Sequence, residues 1–285
     1  MSTLLARREL APKIYELVVE SGRIARKAQP GQFVVVMAHE RAERIPLTIA
    51  DADPQAGTIT LVVLVAGAST LELSQLRPGQ SLYAIIGPLG KPSQVEQVAQ
   101  VVMVAGGVGT APIYPIARAF YQAGSQVITI QGARTKELLF WTERLASVSH
   151  RHIITTDDGS FGRRGLVTEP LREVLQEDTE RQIGCIYAIG PAVMMKNCVR
   201  VAESFARKII VSLNPIMVDG TGMCGGCRVE VGGQTFFACV DGPEFDGRLV
   251  NWDLFISRQK LYHEQETCLL MQYSPHESEK PSAST

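Results

Sequence analysis

From the N-terminus to about residue 95, apolar positions come in blocks or alternations of four to eight residues, cut by Gly and Pro: KIYELVVES, GQFVVVMA, IPLTIADAD, GTITLVVLVAG and SLYAIIGPLG. A period near two with frequent turn residues predicts half-buried strands, and their close spacing predicts a small antiparallel barrel. Pro30–Gly31–Gln32 and Pro78–Gly79–Gln80 read as turns that each feed a strand, and Asp51–Gly57 as a hairpin turn.

Around residue 98 the rhythm changes. A continuous apolar run, Val101–Ala105, leads into a glycine-rich turn and an amphipathic helical pattern that ends near Gly124. QVITIQGAR then predicts a strand, KELLFWTERLASV a helix, HRHIITTDD a strand, LVTEPLREVLQE a helix, CIYAIG a strand and PAVMMKNCVRVAESFA a helix. Strands alternating with helices at this spacing predict a doubly wound parallel sheet that binds ligands at the carboxyl ends of its strands. Beyond about residue 209 come a strand IIVSLNPIM, a glycine- and cysteine-rich loop, a hairpin CRVEVGGQTFFACV turning at Gly232–Gly233, and a polar tail expected to be partly disordered. The expected fold class is therefore mixed, with boundaries at 1–96 (barrel), 97–210 (α/β doubly wound parallel sheet), 211–255 (small module) and 256–285 (extension).

Composition adds boundaries to this picture. The chain has 285 residues, 45% hydrophobic and 20% charged, with a formal net charge of −1. That length carries about two domains of ~150 residues with room for a small third, and the near-neutral balance provides no field that would favour nucleic acid or acidic lipid. The longest apolar runs are of strand length, well short of the ~20 residues a membrane helix needs. Arg7, Arg8 and Glu9 interrupt any apolar leader, so a cytoplasmic protein is expected.

Three of the six cysteines fall between Cys224 and Cys239. With Asp219 as a fourth ligand the spacing is that of a [2Fe–2S] site, C-x4-C-x2-C…C, with a carboxylate in the first place. Gly220, Gly222, Gly225 and Gly226 suit a tight loop whose N–H groups point at sulfur. A zinc knuckle built on the same cysteines is the rival metal reading, and a hairpin with incidental buried thiols the plain structural one. Cys185, Cys198 and Cys268 are scattered, which fits a reducing compartment.

Gly106, Gly107, Val108, Gly109, Thr110, Ala111 and Pro112 follow a predicted strand and open a helix, where glycines let a pyrophosphate approach the helix N-terminus. The G-x-G-x-x-G fingerprint is not present, so a strict dinucleotide-fold motif does not follow. Gly132, Ala133 and Arg134, then Asp157 and Asp158, then Gly190 and Pro191 close the other strands of the sheet along the same edge. In the barrel, Arg44-Ile45-Pro46-Leu47-Thr48 starts a strand and Gly67-Ala68-Ser69-Thr70 opens a short helix, a plausible clamp for a second pyrophosphate. The histidines, His39, His150, His152, His263 and His276, are dispersed, so no catalytic acid–base set is expected and the chemistry falls to cofactors.

The order barrel, GGVGTAP sheet, cluster loop resembles the ferredoxin reductase-type flavoproteins, and among them the electron-transfer subunit of dihydroorotate dehydrogenase and its relatives. Asp219 departs from that subunit, which has cysteine there. ERIPLTIAD and MVDGTGMCGGCRV are instead similar to the small subunit of NADH-dependent reduced ferredoxin:NADP oxidoreductase. The resemblance implies FAD at Arg44, Pro46, Leu47, Thr48, Gly67, Ala68, Ser69 and Thr70. It implies NAD(H) at Gly106–Thr110, Pro112, Gly132–Arg134, Asp157, Asp158, Gly190, Pro191 and Met194, and a [2Fe–2S] cluster on Asp219, Cys224, Cys227 and Cys239. It also implies a larger flavin and iron–sulfur partner subunit, through which ferredoxin and NADPH are handled. The family's flavin motif, Arg followed three positions later by Ser or Thr, is displaced here, because Ile45 stands where the arginine belongs.

Overall fold

The computed structural model describes residues 2–261 and 265–266. His263, Cys268, His276 and most of the polar tail lie outside the described residues. The first elements are β1 (Ser2–Ala11), β2 (Ile14–Glu20), α1 (Gly22–Ala25), β3 (Phe33–Met37), β4 (Ile45–Asp53), β5 (Thr58–Leu64), α2 (Ala68–Gln75), β6 (Ser81–Leu82) and β7 (Ala84–Leu89). They pair antiparallel in the order β6-β1-β2-β5-β4-β3-β7. β6 and β7 form the two edges, yet Tyr83 alone separates them along the chain, so the sheet curls into the expected barrel. The apolar rhythm does not mark β1, because Leu5 through Glu9 all face solvent. Backbone pairing to β2, from Leu4 opposite Val19 to Ala11 opposite Ile14, makes it a strand.

The next elements are β8 (Gln100–Gly106), α3 (Thr110–Gln122), β9 (Gln126–Ala133), α4 (Thr142–Ala146), β10 (Arg151–Thr156), β11 (Arg163–Arg164), α5 (Thr168–Glu177), β12 (Ile183–Ile189), α6 (Ala192–Ser204) and β13 (Ile209–Ser212). Last come β14 (Arg228–Val231), β15 (Gln234–Phe237), β16 (Glu244–Asp246) and α7 (Trp252–Gln259). The second sheet runs β11-β10-β9-β8-β12-β13-β16, parallel except for β16, and β14–β15 form the separate hairpin. Among the described residues no helix is long and apolar enough to cross a membrane.

Two expected elements are shorter than their patterns. KELLFWTERLASV holds a single 3-10 turn and then α4, because Trp141 adopts a left-handed φ of 53° and turns its indole toward the barrel. The strand expected over IIVSLNPIM stops at Ser212, and the chain beyond it includes Pro215, which has no N–H to donate to a ladder.

The packing ties the segments into shared cores. Ala50 and Val62 of the barrel pack in one apolar cluster with Ala111, Tyr114 and Ala117 of α3. Phe33 and Val35 of β3 belong to another, with Val211, Met217, Cys227 and Cys239. Close-packed interiors of this kind hold neighbouring elements in fixed register.

Candidate cofactor sites

The cysteine loop runs over the outside of β3 and β7. Gly220, at φ 74°, lies where an added Cβ would be 2.7 Å from Leu89 Cδ1 and 3.0 Å from Val35 Cγ2, so only glycine lets the loop press this closely on the barrel. Cys227 and Cys239 are buried with their Sγ atoms 3.2 Å apart, while Cys224 is exposed. Burial, with Cys227 beside it, pushes the Cys239 thiol upward; two thiolates this close need a cationic centre to ionise together. Cys224 Sγ accepts from Gly226 N at 3.4 Å. Asp219 Oδ1 accepts from Thr221 N (2.7 Å) and Oδ2 from Cys224 N (2.6 Å), and these N–H groups, Thr221 first, hold its carboxyl below the usual carboxylate range. Among the described residues no group of three or more His, Cys, Asp or Glu is arranged around a single metal ion. The donor set of three sulfurs and a carboxylate, with one sulfur pair already in contact, fits a two-iron cluster.

In the barrel, β3 and β4 are paired with Val35 opposite Pro46, Val34 opposite Leu47 and Phe33 opposite Thr48. α2 starts beside the head of β4, because Ser69 Oγ donates to Glu43 Oε2 at 2.7 Å. Thr70 Oγ1 accepts from Ala66 N and Gly67 N and donates to Gly67 O, which caps the helix from within. A Cβ on Gly67 would meet nothing within 4 Å, so the N-terminus of α2 opens onto free space and fits a phosphate. Arg44 is exposed next to Glu43.

The carboxyl edge of the parallel sheet brings the remaining candidates together. An added Cβ at Gly106 would fall 2.2 Å from Met194 Sδ, and one at Gly109 would fall 2.1 Å from the Ile189 carbonyl oxygen. Gly107, at φ 53°, has nothing within 4 Å of such an atom. Two glycines therefore let the loop pack on Ile189–Met194, and the third leaves a cradle at the start of α3 that fits a dinucleotide phosphate. Pro112 is half-buried in the first turn of α3 and Pro191 is exposed. Gly106 pairs with Gly132 across β8–β9, and Asp157 N and Asp158 N donate to Ala133 O and Arg134 O. Asp158 Oδ1 accepts from Ser160 N and Oγ, which hold its carboxyl low, Oγ foremost.

Two side chains at these sites escape sequence reasoning. Gln131, 1% exposed, donates through Nε2 to Thr110 Oγ1 (3.3 Å) and Phe140 O (2.8 Å), orienting the first hydroxyl of α3. Its only sequence signal is a second amide in β9, after Gln126 at the strand's start. Glu43 carries no signal at all, since its role depends on where α2 lands.

Comparison with known proteins accords with this geometry. Residues 103–200 match an oxidoreductase NAD-binding domain, and residues 214–251 match the iron–sulfur cluster binding domain of dihydroorotate dehydrogenase B. The electron transfer subunit homolog of dihydroorotate dehydrogenase B (NAD(+)) from Thermotoga maritima is 45% identical over 266 residues, covering 93% of each chain. The chain belongs to this family. The corresponding subunit of Bacillus caldolyticus is 32% identical over 85% of this chain and 95% of its own. A solved structure of an NADH-dependent reduced ferredoxin-NADP oxidoreductase, from work on flavin-based electron bifurcation, is 43% identical with a TM-score of 0.90, covering 96% of this chain and 98% of that one.

As a member of this electron-transfer family the chain is an NAD(H)-dependent oxidoreductase subunit that uses FAD, NAD(H) and a [2Fe–2S] cluster and works with a larger partner subunit. The match over 214–251 sets aside the zinc-knuckle reading of the cysteine loop.

Proposed function

We propose that this chain is the NADH-linked subunit of a bifurcating NADH/NADPH/ferredoxin oxidoreductase, with ferredoxin and NADPH handled by its larger partner. The observation that carries the reading is one of adjacency. Gly220 of the cysteine loop packs on Val35, and Val35 is the cross-strand partner of Pro46; adjacent strands lie about 4.8 Å apart. In this reading residues 1–96 hold FAD, 97–210 hold NAD(H) and 211–255 hold the cluster, in the reducing cytoplasm that the five free cysteines among the described residues suit.

Bound there, the three groups supply hydride and single-electron chemistry. The protein supplies placement. Pro46, Leu47 and Thr48 form the strand surface for the flavin ring, while Gly67, Ala68, Ser69 and Thr70 present the head of α2 to its pyrophosphate. Gly106, Gly107, Val108, Gly109 and Thr110 cradle the nicotinamide nucleotide, with Pro112, Gly190, Pro191 and Met194 walling its reactive end. Gly132, Ala133, Arg134, Asp157 and Asp158 receive the adenosine end. Asp219, Cys224, Cys227 and Cys239 hold the cluster on the far side of β3 from β4.

The test is anaerobic titration of the purified protein with NADH, followed in the visible and by electron paramagnetic resonance. Bleaching of flavin bands with the appearance of a [2Fe–2S] signal is expected, and with the larger subunit NADH turnover should require NADP and ferredoxin together. A protein without flavin or cluster overturns the reading. A second reading, electron supply to dihydroorotate dehydrogenase, is favoured by the names of the relatives; orotate-dependent NADH oxidation on adding a dihydroorotate dehydrogenase catalytic subunit would select it.

A further inference from the structure

We propose that Arg118 and Asp51 are a positioning pair for hydride transfer, fixing the nicotinamide site of α3 against the flavin strand β4. The inference rests on the functional reading above. Arg118 Nη1 lies 2.8 Å from Asp51 Oδ1, and the guanidinium stacks over the Tyr114 ring with its centre 5.1 Å away. Both side chains are half-buried, so the pair is screened less than a surface ion pair. Burial opposes the charge on Arg118, but Asp51 and Tyr114 more than offset it and raise its pKa.

The strand is shaped for this contact. Ile49 pairs with Leu61 and Asp51 with Thr60, so Ala50 is an extra residue on β4 and makes a β-bulge. A bulge re-aims the side chains beyond it, and here Asp51 reaches α3 across the shared core of Ala50, Tyr114 and Ala117. Ala52 N donates to the same carboxylate oxygen and fixes its rotamer.

The pair also sits at matched distances from the two sites. Asp51 is three residues beyond Thr48, roughly 10 Å along a strand. Arg118 is eight residues beyond Thr110, about 12 Å along a helix. A slip of α3 against β4 would therefore carry the nicotinamide site across the flavin site by nearly the same amount, and hydride transfer is steeply sensitive to misplacement of about 1 Å. A second bracket between barrel and sheet, Trp141 to Glu16, ties the start of α4 to β2 and packs edge-on against the Tyr114 ring of α3.

The experiment compares Asp51→Asn, Arg118→Lys, Arg118→Ala, Asp51→Ala and the double alanine variant as FAD- and cluster-loaded proteins, with Trp141→Phe as an interface control. Anaerobic rapid mixing with NADH gives the limiting rate of flavin reduction, the NADH Kd and the flavin–nicotinamide charge-transfer absorption. The single alanine variants should lose at least tenfold in limiting rate and most of the charge-transfer band, with Kd and FAD content within twofold. The double variant should be no worse than the slower single, Arg118→Lys should be intermediate, and Trp141→Phe should lower the melting temperature without slowing reduction. Limiting rates within twofold of wild type, additive losses in the double variant, or losses that track FAD content overturn the proposal. A wild-type holoprotein that NADH does not reduce overturns the functional reading along with it, whereas a reducible wild type with unaffected variants overturns the pair alone.

Discussion

The Sγ atoms of Cys227 and Cys239 touch at 3.2 Å inside the core that joins the hairpin to β3, and neither residue is more than 2% exposed. Such a pair gains nothing as two neutral thiols that packed methyl groups would not supply, so its chemistry lies in binding a cationic centre. Cys227→Ser or Cys239→Ser should therefore remove bound iron and inorganic sulfide and leave a flavin-only spectrum. Flavin reduction by NADH should remain within about twofold. Cys198→Ser, at a thiol buried in α6 and pushed up to about 12 by burial alone, should keep its full iron content.

Gly107 and Gly109 are two positions apart and should fail differently. Alanine at 109 drives a Cβ into the Ile189 backbone, an overpacking that costs about 3 kcal/mol; thermal melting should register it. Alanine at 107 has open space but a left-handed φ, worth roughly 1–2 kcal/mol. There the larger effect should be on the nucleotide, with NADH Kd rising tenfold or more in a fluorescence titration.

Glu244 makes the stability of the chain fall with pH. Burial lifts its carboxyl from 4.5 to about 7, partly countered by the hydrogen bond from Ser93. The folded state thus holds a proton that the unfolded state releases, so stability declines between pH 4.5 and about 7 and the loss is complete above that. The full span is worth roughly 3 kcal/mol. The melting temperature of the wild type relative to Glu244→Gln should fall as pH rises across this window.

Trp141 Nε1 donates to Glu16 Oε2 at 3.0 Å, and Arg8 meets the other oxygen at 2.7 Å. Trp141→Phe keeps a ring beside Tyr114 but leaves one oxygen of a buried carboxylate without its neutral donor, at a cost of about 1–3 kcal/mol. Urea denaturation should show a lower midpoint with an unchanged slope.

The barrel, the parallel sheet and their order along the chain were legible because each is written in a period of two or in alternating strand and helix patterns. β1 was not, since five outward positions break its pattern and only pairing with β2 makes it a strand. Trp141 was not either, because its partner Glu16 lies 125 residues away and burial of the indole overrides a local helical pattern. The cysteine spacing and the glycine turns could be read directly as candidate sites. Gln131, Glu43 and Asp51 could not, as each acts through a neighbour that is distant in sequence or, for Asp51, through a bulge that no local pattern marks.

The edge strand β16 lies antiparallel on β13, with Ile210 opposite Asp246 and Ser212 opposite Glu244. The metal-binding stretch is thus stitched back into the nucleotide sheet after its hairpin, by hydrogen bonds that belong to neither segment alone. A gene fusion or transplant that moved residues 214–251 as a cassette would leave β13 with a bare edge and the cassette with an unpaired strand, both prone to self-association. Residues 214–251 are therefore an extension of the nucleotide sheet rather than a free-standing module.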